Sequence, residues 1–472
     1  MLAIALVAAG SRVDALVAQA PPENGFDPEA FDAYVSEAVE AWGAPGLAIA
    51  VVHGGRVVFE RGYGVLELGR PARVDEHTRF AIGSTTKAMT AAAIGLLVDE
   101  GALDWDDRVI DHLPGFRLHD PYATREVTIR DLLTHRAGLG NADFLWYEQE
   151  TDADEILRKV RLLEPAYSLR SGFIYQNIMY LVAGEVVEAV SGMPWDVFVT
   201  ERLFEPLDMD ETVALASRIR GRPNVATPHD TVDGELRPIE NASVDPVAPA
   251  GSVWSSVSDM AKWLLMLLAE GELPSGERLL EPGTVREMFT PQVVLRSQYP
   301  TTRLTRPDWM TYGLGWFQQD YRGRKVDFHT GSIDGMVAIA GLIREQDLGV
   351  YVLANRDHVE VRHALMYRVF DVFDPHGGDP RDWSTDLREL YDELAASAAE
   401  ARARRLEGRV QDTEPSHPPA AYAGRYEDPL FGSVEVEREG DGLRLVYGPG
   451  LRGPLEHWHH DTFLVRFDAA WR

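Results

Sequence analysis

The sequence predicts a mixed fold (α/β or α+β), in which a sheet is flanked by helices and followed by a small β-rich domain. Three observations predict it. A helix and a β-hairpin come first, two apolar strands return after a long and mostly helical stretch, and short alternating strands begin at Tyr422. Two strands that return late in the chain can complete a sheet that the first hairpin begins.

The first elements are a helix, a hairpin and a second helix. Residues 27–42 place five apolar or aromatic side chains at helical spacing, namely Phe31, Tyr34, Val35, Ala38 and Trp42. The β-type runs GLAIAVVHGG and RVVFERGYG follow, and their junction at His53-Gly54-Gly55 predicts a hairpin. Residues 85–100, rich in Ala and Leu, predict a buried helix that ends before Gly101.

The late strands and the C-terminal part have different compositions. VAIAGLI (337–343) and LGVYVLAN (348–355) are separated by a short polar turn and predict two neighbouring strands. Residues 374–384 are rich in Pro, Gly and Asp, and residues 385–410 predict a highly charged helix. Prolines within residues 415–419 prevent that helix from continuing.

These changes divide the chain into four expected regions. Residues 1–20 are expected to be a signal peptide, 21–375 the main domain, and 376–415 a helical linker. Residues 416–472 are expected to form a β-rich domain that is either complete or cut short at Arg472.

The N-terminus resembles a secretion signal. Residues 2–9 (LAIALVAA) form an apolar run too short to span a bilayer, and Ala18-Gln19-Ala20 supplies an A-x-A cleavage pattern. A periplasmic or secreted protein is expected, or a cytoplasmic one if residues 1–20 are not a signal. No later stretch reaches 18 apolar residues, so no stable membrane insertion is expected.

Composition excludes several kinds of chemistry. Lys and Arg number 46 against 75 Asp and Glu, giving a net charge of −29, which disfavours nucleic acid as a partner. The chain has no cysteine, which excludes thiol nucleophiles, Fe–S clusters and Cys-ligated zinc. No cofactor and no metal site are expected, and the sequence leaves the oligomeric state open.

The sequence Ser84-Thr85-Thr86-Lys87 stands at the start of the helix predicted over 85–100. Side chains three residues apart share a helical face, and a helix N-terminus offers free backbone N–H groups. A lysine buried among Ala, Leu and Ile has a lowered pKa and can take a proton from a serine hydroxyl. The motif alone is weak, because a serine at this position is more often a simple helix N-cap.

Two further motifs carry polar groups suited to acyl transfer. In the segment 171–177, Tyr175 and Asn177 are two residues apart, so an extended chain would place both side chains on one side. In the segment 329–332 (HTGS), a glycine on an edge strand lets a substrate approach the backbone, and a neighbouring N–H group can contribute to an oxyanion hole.

Three other features are interpreted as structural. Consecutive histidines at 457–460 (HWHH) alternate sides in a strand and do not converge on a metal. His135 is interpreted as a hydrogen-bonding structural residue. The tryptophans are expected to line the cleft or the core, at positions Trp146, Trp309 and Trp316.

The motifs S-x-x-K, Y-x-N and H-T-G, in this order, resemble those of serine β-lactamases and penicillin-binding-protein-like hydrolases. The Y-x-N form is similar to that of class C β-lactamases, D,D-peptidases and D-aminopeptidases. Supporting phrases such as VTIRDLLTHRAGLG and PAGSVWSSVSDMAKWL extend over most of residues 27–360. The resemblance implies a β-lactamase-like antiparallel sheet flanked by helices, an all-helical subdomain and a lipocalin-like C-terminal domain.

The same resemblance implies roles for individual residues. Ser84 would be the acyl-forming nucleophile, Lys87 its base, and Tyr175 the second proton-transfer group. Asn177 would orient Lys87 and the acyl amide of the substrate. The substrate strand would present His329, Thr330, Gly331 and Ser332, with the backbone N–H groups of Ser84 and Ser332 forming the oxyanion hole.

One departure from the family pattern affects the expected substrate. Many β-lactamases have Lys at the position of His329, and a histidine supplies a positive charge only in part near neutral pH. The expected activity is therefore a serine peptidase or amidohydrolase on small peptides or D-amino-acid-containing amides. The alternatives are a carboxylesterase, a weak β-lactamase or a non-catalytic penicillin-binding-like sensor. In each case the expected partner is a small molecule or a peptide.

Overall fold

A computed structural model describes residues 26–241, 243–296, 299–378 and 380–471. The strands are β1 (Gly46–His53), β2 (Arg56–Gly64), β3 (Phe80–Ala81), β4 (His229–Val232), β5 (Glu235–Pro238), β6 (Trp254–Ser255), β7 (Val293–Val294), β8 (Met310–Tyr312), β9 (Phe317–Tyr321), β10 (Arg324–Ile333), β11 (Met336–Ile343), β12 (Leu348–Ala354), β13 (Gly424–Asp428), β14 (Gly432–Glu439), β15 (Gly442–Tyr447), β16 (Leu451–His459) and β17 (Thr462–Val465).

The α-helices are α1 (Pro28–Trp42), α2 (Thr86–Asp99), α3 (Val109–His112), α4 (Pro121–Glu126), α5 (Ile129–Leu133), α6 (Ala153–Val160), α7 (Ile178–Ser191), α8 (Trp195–Val199), α9 (Ala248–Gly251), α10 (Val257–Leu268), α11 (Pro282–Met288), α12 (Thr302–Thr305), α13 (Val361–Val372) and α14 (Trp383–Glu407). The predicted segment 1–20 lies outside the described residues, and export stays a prediction. No helix in the described part of the chain is long and apolar enough to cross a membrane.

The main sheet has eight strands in the order β2-β1-β12-β11-β10-β9-β8-β7, with antiparallel pairing throughout. The first hairpin therefore joins the late strands, since β1 pairs with β12 from Leu47↔Ala354 to His53↔Leu348. This confirms the predicted sheet, including the two strands expected at 337–343 and 348–355.

The sheet is covered on both faces, which explains why its central strands are apolar at nearly every position. In β1, the side chains of Leu47, Ile49 and Val51 face a core shared with α1 and α13. Ala48, Ala50 and Val52 face the opposite core, which includes α2, α7 and α10. Helix α2 is buried on almost every side, as its Ala- and Leu-rich sequence predicted.

The C-terminal region consists of a helix and a small sheet. The first turns of α14 pack into the main core through Trp383, Leu387 and Leu390. Beyond it, β13 to β17 form a five-stranded antiparallel sheet in chain order. The ring of Phe431, in the turn between β13 and β14, lies 4.5 Å from that of Phe144 in the main domain. The predicted lipocalin-like character of this domain stays a prediction.

The buried Asp131 carboxylate links residues 128–136 to Arg170. Asp131, in α5, is fully buried and accepts hydrogen bonds from the Thr128 backbone and hydroxyl in a helix-capping box. It also accepts from Arg136 Nε at 2.6 Å and from Arg170 Nη2 at 2.8 Å. Arg170 thereby connects α5 to the chain that leads towards residue 175.

We expect Asp131→Ala to destabilise the protein by about 3–5 kcal/mol, because it leaves two arginines and the capped turn without their acceptor. The measurement is the free energy of unfolding from urea titration followed by tryptophan fluorescence. Asp111→Ala is the matched control, since Asp111 pairs with Arg108 on the surface and its loss should leave the midpoint unchanged. Equal midpoints for the two variants would contradict the assigned role of Asp131.

Candidate active site

Ser84 lies in a tight turn that packs against β10. The turn Gly83–Thr85 is a single 3-10 turn, and α2 begins at the next residue. Gly83 has φ +52°, and a Cβ added there would lie 2.7 Å from the Ser332 backbone nitrogen. Ser84 therefore lies half-buried at the start of a buried helix, with β10 directly beside it.

Lys87 is completely buried one helical turn after Ser84. Its Nζ lies 3.0 Å from Ser84 Oγ, 2.7 Å from Asn177 Oδ1 and 2.8 Å from the carbonyl oxygen of Ala250. The alternative role of Ser84 as a simple N-cap is not what the geometry shows, because its hydroxyl pairs with Lys87 and makes no helix-capping hydrogen bond.

Burial lowers the pKa of Lys87 to about 7, and the Asp143 carboxylate acts in the opposite direction. A neutral amine has two N–H donors and one lone pair. The carbonyl oxygens of Asn177 and Ala250 can only accept, so they take the two donors. The lone pair of neutral Lys87 is then left for the Ser84 hydroxyl, which is the arrangement that a base requires.

Asp143 fixes the orientation of Asn177. The Asn177 amide donates from Nδ2 to Asp143 Oδ1 at 3.0 Å, so its oxygen must face Lys87. Trp146 Nε1 donates to the same carboxylate oxygen at 2.9 Å. Asp143 thus orients the amide and places a negative charge near the amine.

Tyr175 covers the other side of the amine. The Lys87 Nζ lies 4.8 Å from the centre of the Tyr175 ring. The Tyr175 hydroxyl oxygen is buried beside Ser84, without a hydrogen bond of good geometry to any described residue. Burial raises the pKa of Tyr175 well above its ordinary value, so the resting phenol is neutral. A buried hydroxyl without a partner is available to a substrate atom.

His329 is held in one tautomer by a chain of hydrogen bonds. Its Nδ1 lies 2.7 Å from the Thr330 carbonyl oxygen, which requires a proton on Nδ1, and its Nε2 accepts from the Tyr312 hydroxyl at 3.0 Å. The Tyr312 oxygen lies 3.3 Å from Nε2 of His135, whose Nδ1 accepts from the Gln176 backbone N–H. Burial and Lys87 lower the pKa of His329 to about 3, so it is uncharged at neutral pH.

Strand β10 has an open edge beside Ser84. The pairing of β10 with β9 ends at Phe328, whereas its pairing with β11 continues to Ile333. The edge that begins at His329 is therefore local, because β10 is an internal strand of the sheet. At Gly331 an added Cβ would lie 1.9 Å from the Ile82 carbonyl oxygen and 3.1 Å from the Ser84 nitrogen. This contact brings the strand backbone and the serine together.

The structure brings all eight predicted site residues to one place. Ser84, Tyr175, His329, Thr330 and Ser332 line a cavity of about 430 Å³. Lys87 and Asn177 lie directly behind Ser84, and Gly331 abuts it.

Sequence reasoning missed two residues of this site, Asp143 and Tyr312. Their sequence surroundings carry no catalytic motif, and only tertiary structure brings them to Asn177 and His329. His135 makes the structural hydrogen bonds proposed for it. The three tryptophans do not line the cavity: two are core residues, and Trp309 is on the surface.

No group of three or more His, Cys, Asp or Glu side chains is placed to hold a metal ion within the described ranges. The groups that surround the Ser84 hydroxyl include an amine of lowered pKa, the phenol of Tyr175 and the amide of Asn177.

Comparison with known proteins places the chain in a family. The family described as Beta-lactamase matches residues 31–372, which is most of the chain. The chain belongs to the β-lactamase family. Residues 408–471 match a separate family, a domain of unknown function (DUF3471).

Curated relatives of this chain include hydrolases and a penicillin-binding protein. The unguisins hydrolase of Aspergillus violaceofuscus is 28% identical over 453 residues, covering 88% of this chain and 78% of that protein. Penicillin-binding protein 4 of Amycolatopsis lactamdurans is 29% identical over 419 residues, covering 86% of this chain and 98% of that protein.

Solved structures share the fold. An octameric penicillin-binding protein homologue from Pyrococcus abyssi has a TM-score of 0.66 at 23% identity, with 91% of this chain and 90% of that chain covered. A D-stereospecific amidohydrolase from Streptomyces has a TM-score of 0.60 at 23% identity, with 75% of this chain and 100% of that chain covered.

Proposed function

We propose that this β-lactamase-family protein is a serine hydrolase that cleaves amide bonds of small peptides or D-amino-acid-containing amides through an acyl-enzyme at Ser84. The observation that carries the proposal is the 3.0 Å contact between Ser84 Oγ and a buried Lys87 amine whose pKa burial lowers to about 7. A nucleophile paired with an amine that is partly neutral at physiological pH is the requirement for acyl transfer.

In the proposed acylation step, Ser84 Oγ attacks the substrate carbonyl carbon as its proton passes to the Lys87 amine. The negative charge that develops on the carbonyl oxygen is stabilised by the backbone N–H groups of Ser84 and Ser332. The Tyr175 hydroxyl protonates the leaving amine and is reprotonated from the Lys87 ammonium. The C–N bond breaks, and the acyl group remains as an ester on Ser84.

Deacylation uses the same groups in reverse. A water molecule attacks the ester carbon while Tyr175 and Lys87 together accept its proton, and the Ser84 oxygen leaves and is reprotonated. Asn177 supports both steps, since its oxygen fixes the Lys87 amine while Asp143 holds its amide group.

As substrates, small peptides and D-amino-acid-containing amides are favoured over β-lactam antibiotics, because His329 is uncharged. A lysine at this position would pair with an antibiotic's carboxylate, whereas a buried histidine with pKa about 3 does not. The structural neighbour from Streptomyces is a D-stereospecific amidohydrolase, and the Aspergillus relative is an unguisins hydrolase; both support a hydrolase. A carboxylesterase is the second candidate, because an acyl-enzyme mechanism also accepts an ester leaving group.

A substrate panel distinguishes these activities. D- and L-aminoacyl anilides, p-nitrophenyl esters and nitrocefin are compared on the wild-type protein by kcat/KM. The proposal expects turnover of at least one D-aminoacyl anilide and slow turnover of nitrocefin. Turnover of esters alone would favour the carboxylesterase, and no turnover with any of these substrates would favour the sensor.

Activity is expected to rise as the pH increases through about 7. The pKa of Lys87 lies near 7, so its ammonium loses a proton over this range and the fraction able to act as base increases. His329 is already neutral over this range and contributes no step. The measurement is kcat/KM from pH 5 to pH 9 with a substrate that does not itself titrate, and a flat profile would count against Lys87 as the base.

We also propose export of the protein, on the basis of the A-x-A pattern that ends at Ala20.

A further inference from the structure

The cavity beside Ser84 is walled by aromatic and apolar side chains. Apart from its polar floor, its lining consists of Phe173, Tyr175, Leu295, Tyr299, Pro300 and Phe317. The Tyr299 and Phe317 rings pack edge to face with their centres 5.2 Å apart. No Lys, Arg, Asp or Glu side chain is among the described residues that line this cavity.

The side chains of His329 and Thr330 at the cavity floor already have hydrogen-bond partners. Both ring nitrogens of His329 are occupied, by Tyr312 and by the Thr330 carbonyl oxygen. The Thr330 hydroxyl lies 3.1 Å from the Tyr299 hydroxyl. Neither side chain therefore presents a positive charge to a substrate.

The Arg362 guanidinium contacts β10 but does not line the cavity, and its donors already have partners. Its Nη1 donates to the Gly331 carbonyl oxygen at 2.5 Å and to Ser332 Oγ at 2.9 Å. Its Nε and Nη2 pair with the Glu360 carboxylate at 3.1 and 3.0 Å. The buried Arg362–Glu360 salt bridge holds β10 in place, and the Arg362 charge is already neutralised by Glu360.

The cationic side chains of Lys87 and Arg296 do not line the cavity either. The Lys87 amine is occupied by Ser84, Asn177 and Ala250. Arg296 follows the cavity-lining Leu295 in sequence, but it is exposed and does not line the cavity.

We propose that this cavity takes an apolar, uncharged group of the substrate, such as an aromatic or branched aliphatic side chain, and disfavours substrates with a free carboxylate at this position. This inference rests on the proposed acyl-enzyme mechanism, because it specifies the substrate of that same site. A carboxylate placed here would lose its hydration and gain no cationic partner in exchange. An aromatic group would instead replace water along an apolar wall.

The test compares esters that differ in one charge. On the acyl side the pair is p-nitrophenyl hexanoate and mono-p-nitrophenyl adipate, which have equal chain length. On the leaving-group side the pair is 3-acetoxybenzamide and 3-acetoxybenzoate. Each enzymatic kcat/KM is divided by the rate of hydroxide hydrolysis of the same ester, so that intrinsic reactivity is removed.

In the pair whose variable group enters the cavity, we expect the corrected kcat/KM of the neutral ester to exceed that of the anionic ester by about 100-fold. Ratios near 1 in both pairs, or a preference for the anion, would overturn the inference. Arg296→Gln is measured alongside, because an anion preference that disappears in this variant would identify Arg296 as a cationic subsite and also overturn it.

A second variant places a charge in the wall. Leu295→Lys adds a cation at the partly exposed rim of the cavity, and Leu295→Gln is the control of similar length without charge. We expect Leu295→Lys to lower the neutral-to-anion ratio at least about tenfold relative to Leu295→Gln. An equal ratio in the two variants would show that this wall does not contact the discriminated group.

The two proposals fail in different ways. Intact mass after mixing with each ester reports whether Ser84 is acylated at all. If no ester of either pair is hydrolysed or forms an adduct at Ser84, the proposed function is wrong and this inference falls with it. If both members acylate Ser84 equally fast, the proposed function stands and only the uncharged cavity preference is wrong.

Discussion

Replacing Ser84 with alanine is expected to lower kcat for the best amide substrate by about 10⁴- to 10⁶-fold, with the fold retained. The Ser84 hydroxyl is the only proposed nucleophile, and the remaining groups can only polarise the substrate or position water. The substitution removes one partner of Lys87, whose amine keeps its contacts with Asn177 and Ala250. The folded state should therefore lose little stability.

The control for this variant is Ser275→Ala, which removes an exposed serine outside the cavity. Both variants should melt within a few degrees of the wild type, and only Ser84→Ala should lose activity. Residual hydrolysis above a few per cent in purified Ser84→Ala protein would place the nucleophile elsewhere.

Lys87→Arg is expected to lower kcat/KM by about 10³-fold at pH 8, because a guanidinium remains protonated and cannot accept the serine proton. The rise of activity through pH 7 should disappear in this variant, since that rise comes from deprotonation of the Lys87 amine. A merely structural role for the lysine would reduce the rate without changing the shape of the pH profile.

Lys262→Arg is the matched control for the lysine substitution. Lys262 is partly exposed and pairs with the buried Asp259 within α10, where an arginine can make the same ion pair. We expect this variant to keep both the rate and the pH profile. If Lys87→Arg kept the pH-dependent rise, the base would have to be another group.

The main sheet could be predicted from the sequence because each of its central strands carries its own signal. The run that forms β1 is apolar on both faces and ends at a glycine-rich turn, and the runs that form β11 and β12 are equally clear. Short strands such as β7 and β8 have two or three residues and are defined only by their pairing, so no local pattern announces them. The open edge of β10 after Phe328 is likewise defined only by where its pairing with β9 ends, so no local pattern predicts it.

The chemical centre was predictable where helix spacing fixes the geometry. Ser84 and Lys87 are one helical turn apart, so their contact follows from the start of α2 alone. Asp143 comes from an irregular segment and reaches the site by a contact with Asn177. Tyr312 comes from a short strand and meets His329 only in the folded sheet. Contacts of this kind depend on tertiary structure and leave no spacing in the sequence.

The contact between Phe431 and Phe144 was likewise beyond the reach of the sequence. It joins the C-terminal sheet to the turn that carries Asp143, the carboxylate that orients Asn177. The C-terminal domain thus packs next to the site rather than extending away from it.

The most direct test of the acyl-enzyme mechanism is peptide mapping after reaction with a fluorescent fluorophosphonate. The proposal predicts one adduct per chain, on the peptide that contains Ser84, with faster labelling above pH 7. It predicts no adduct in Ser84→Ala and slow labelling in Lys87→Arg. An adduct on another residue, or equal labelling of wild type and Ser84→Ala, would contradict the central claim.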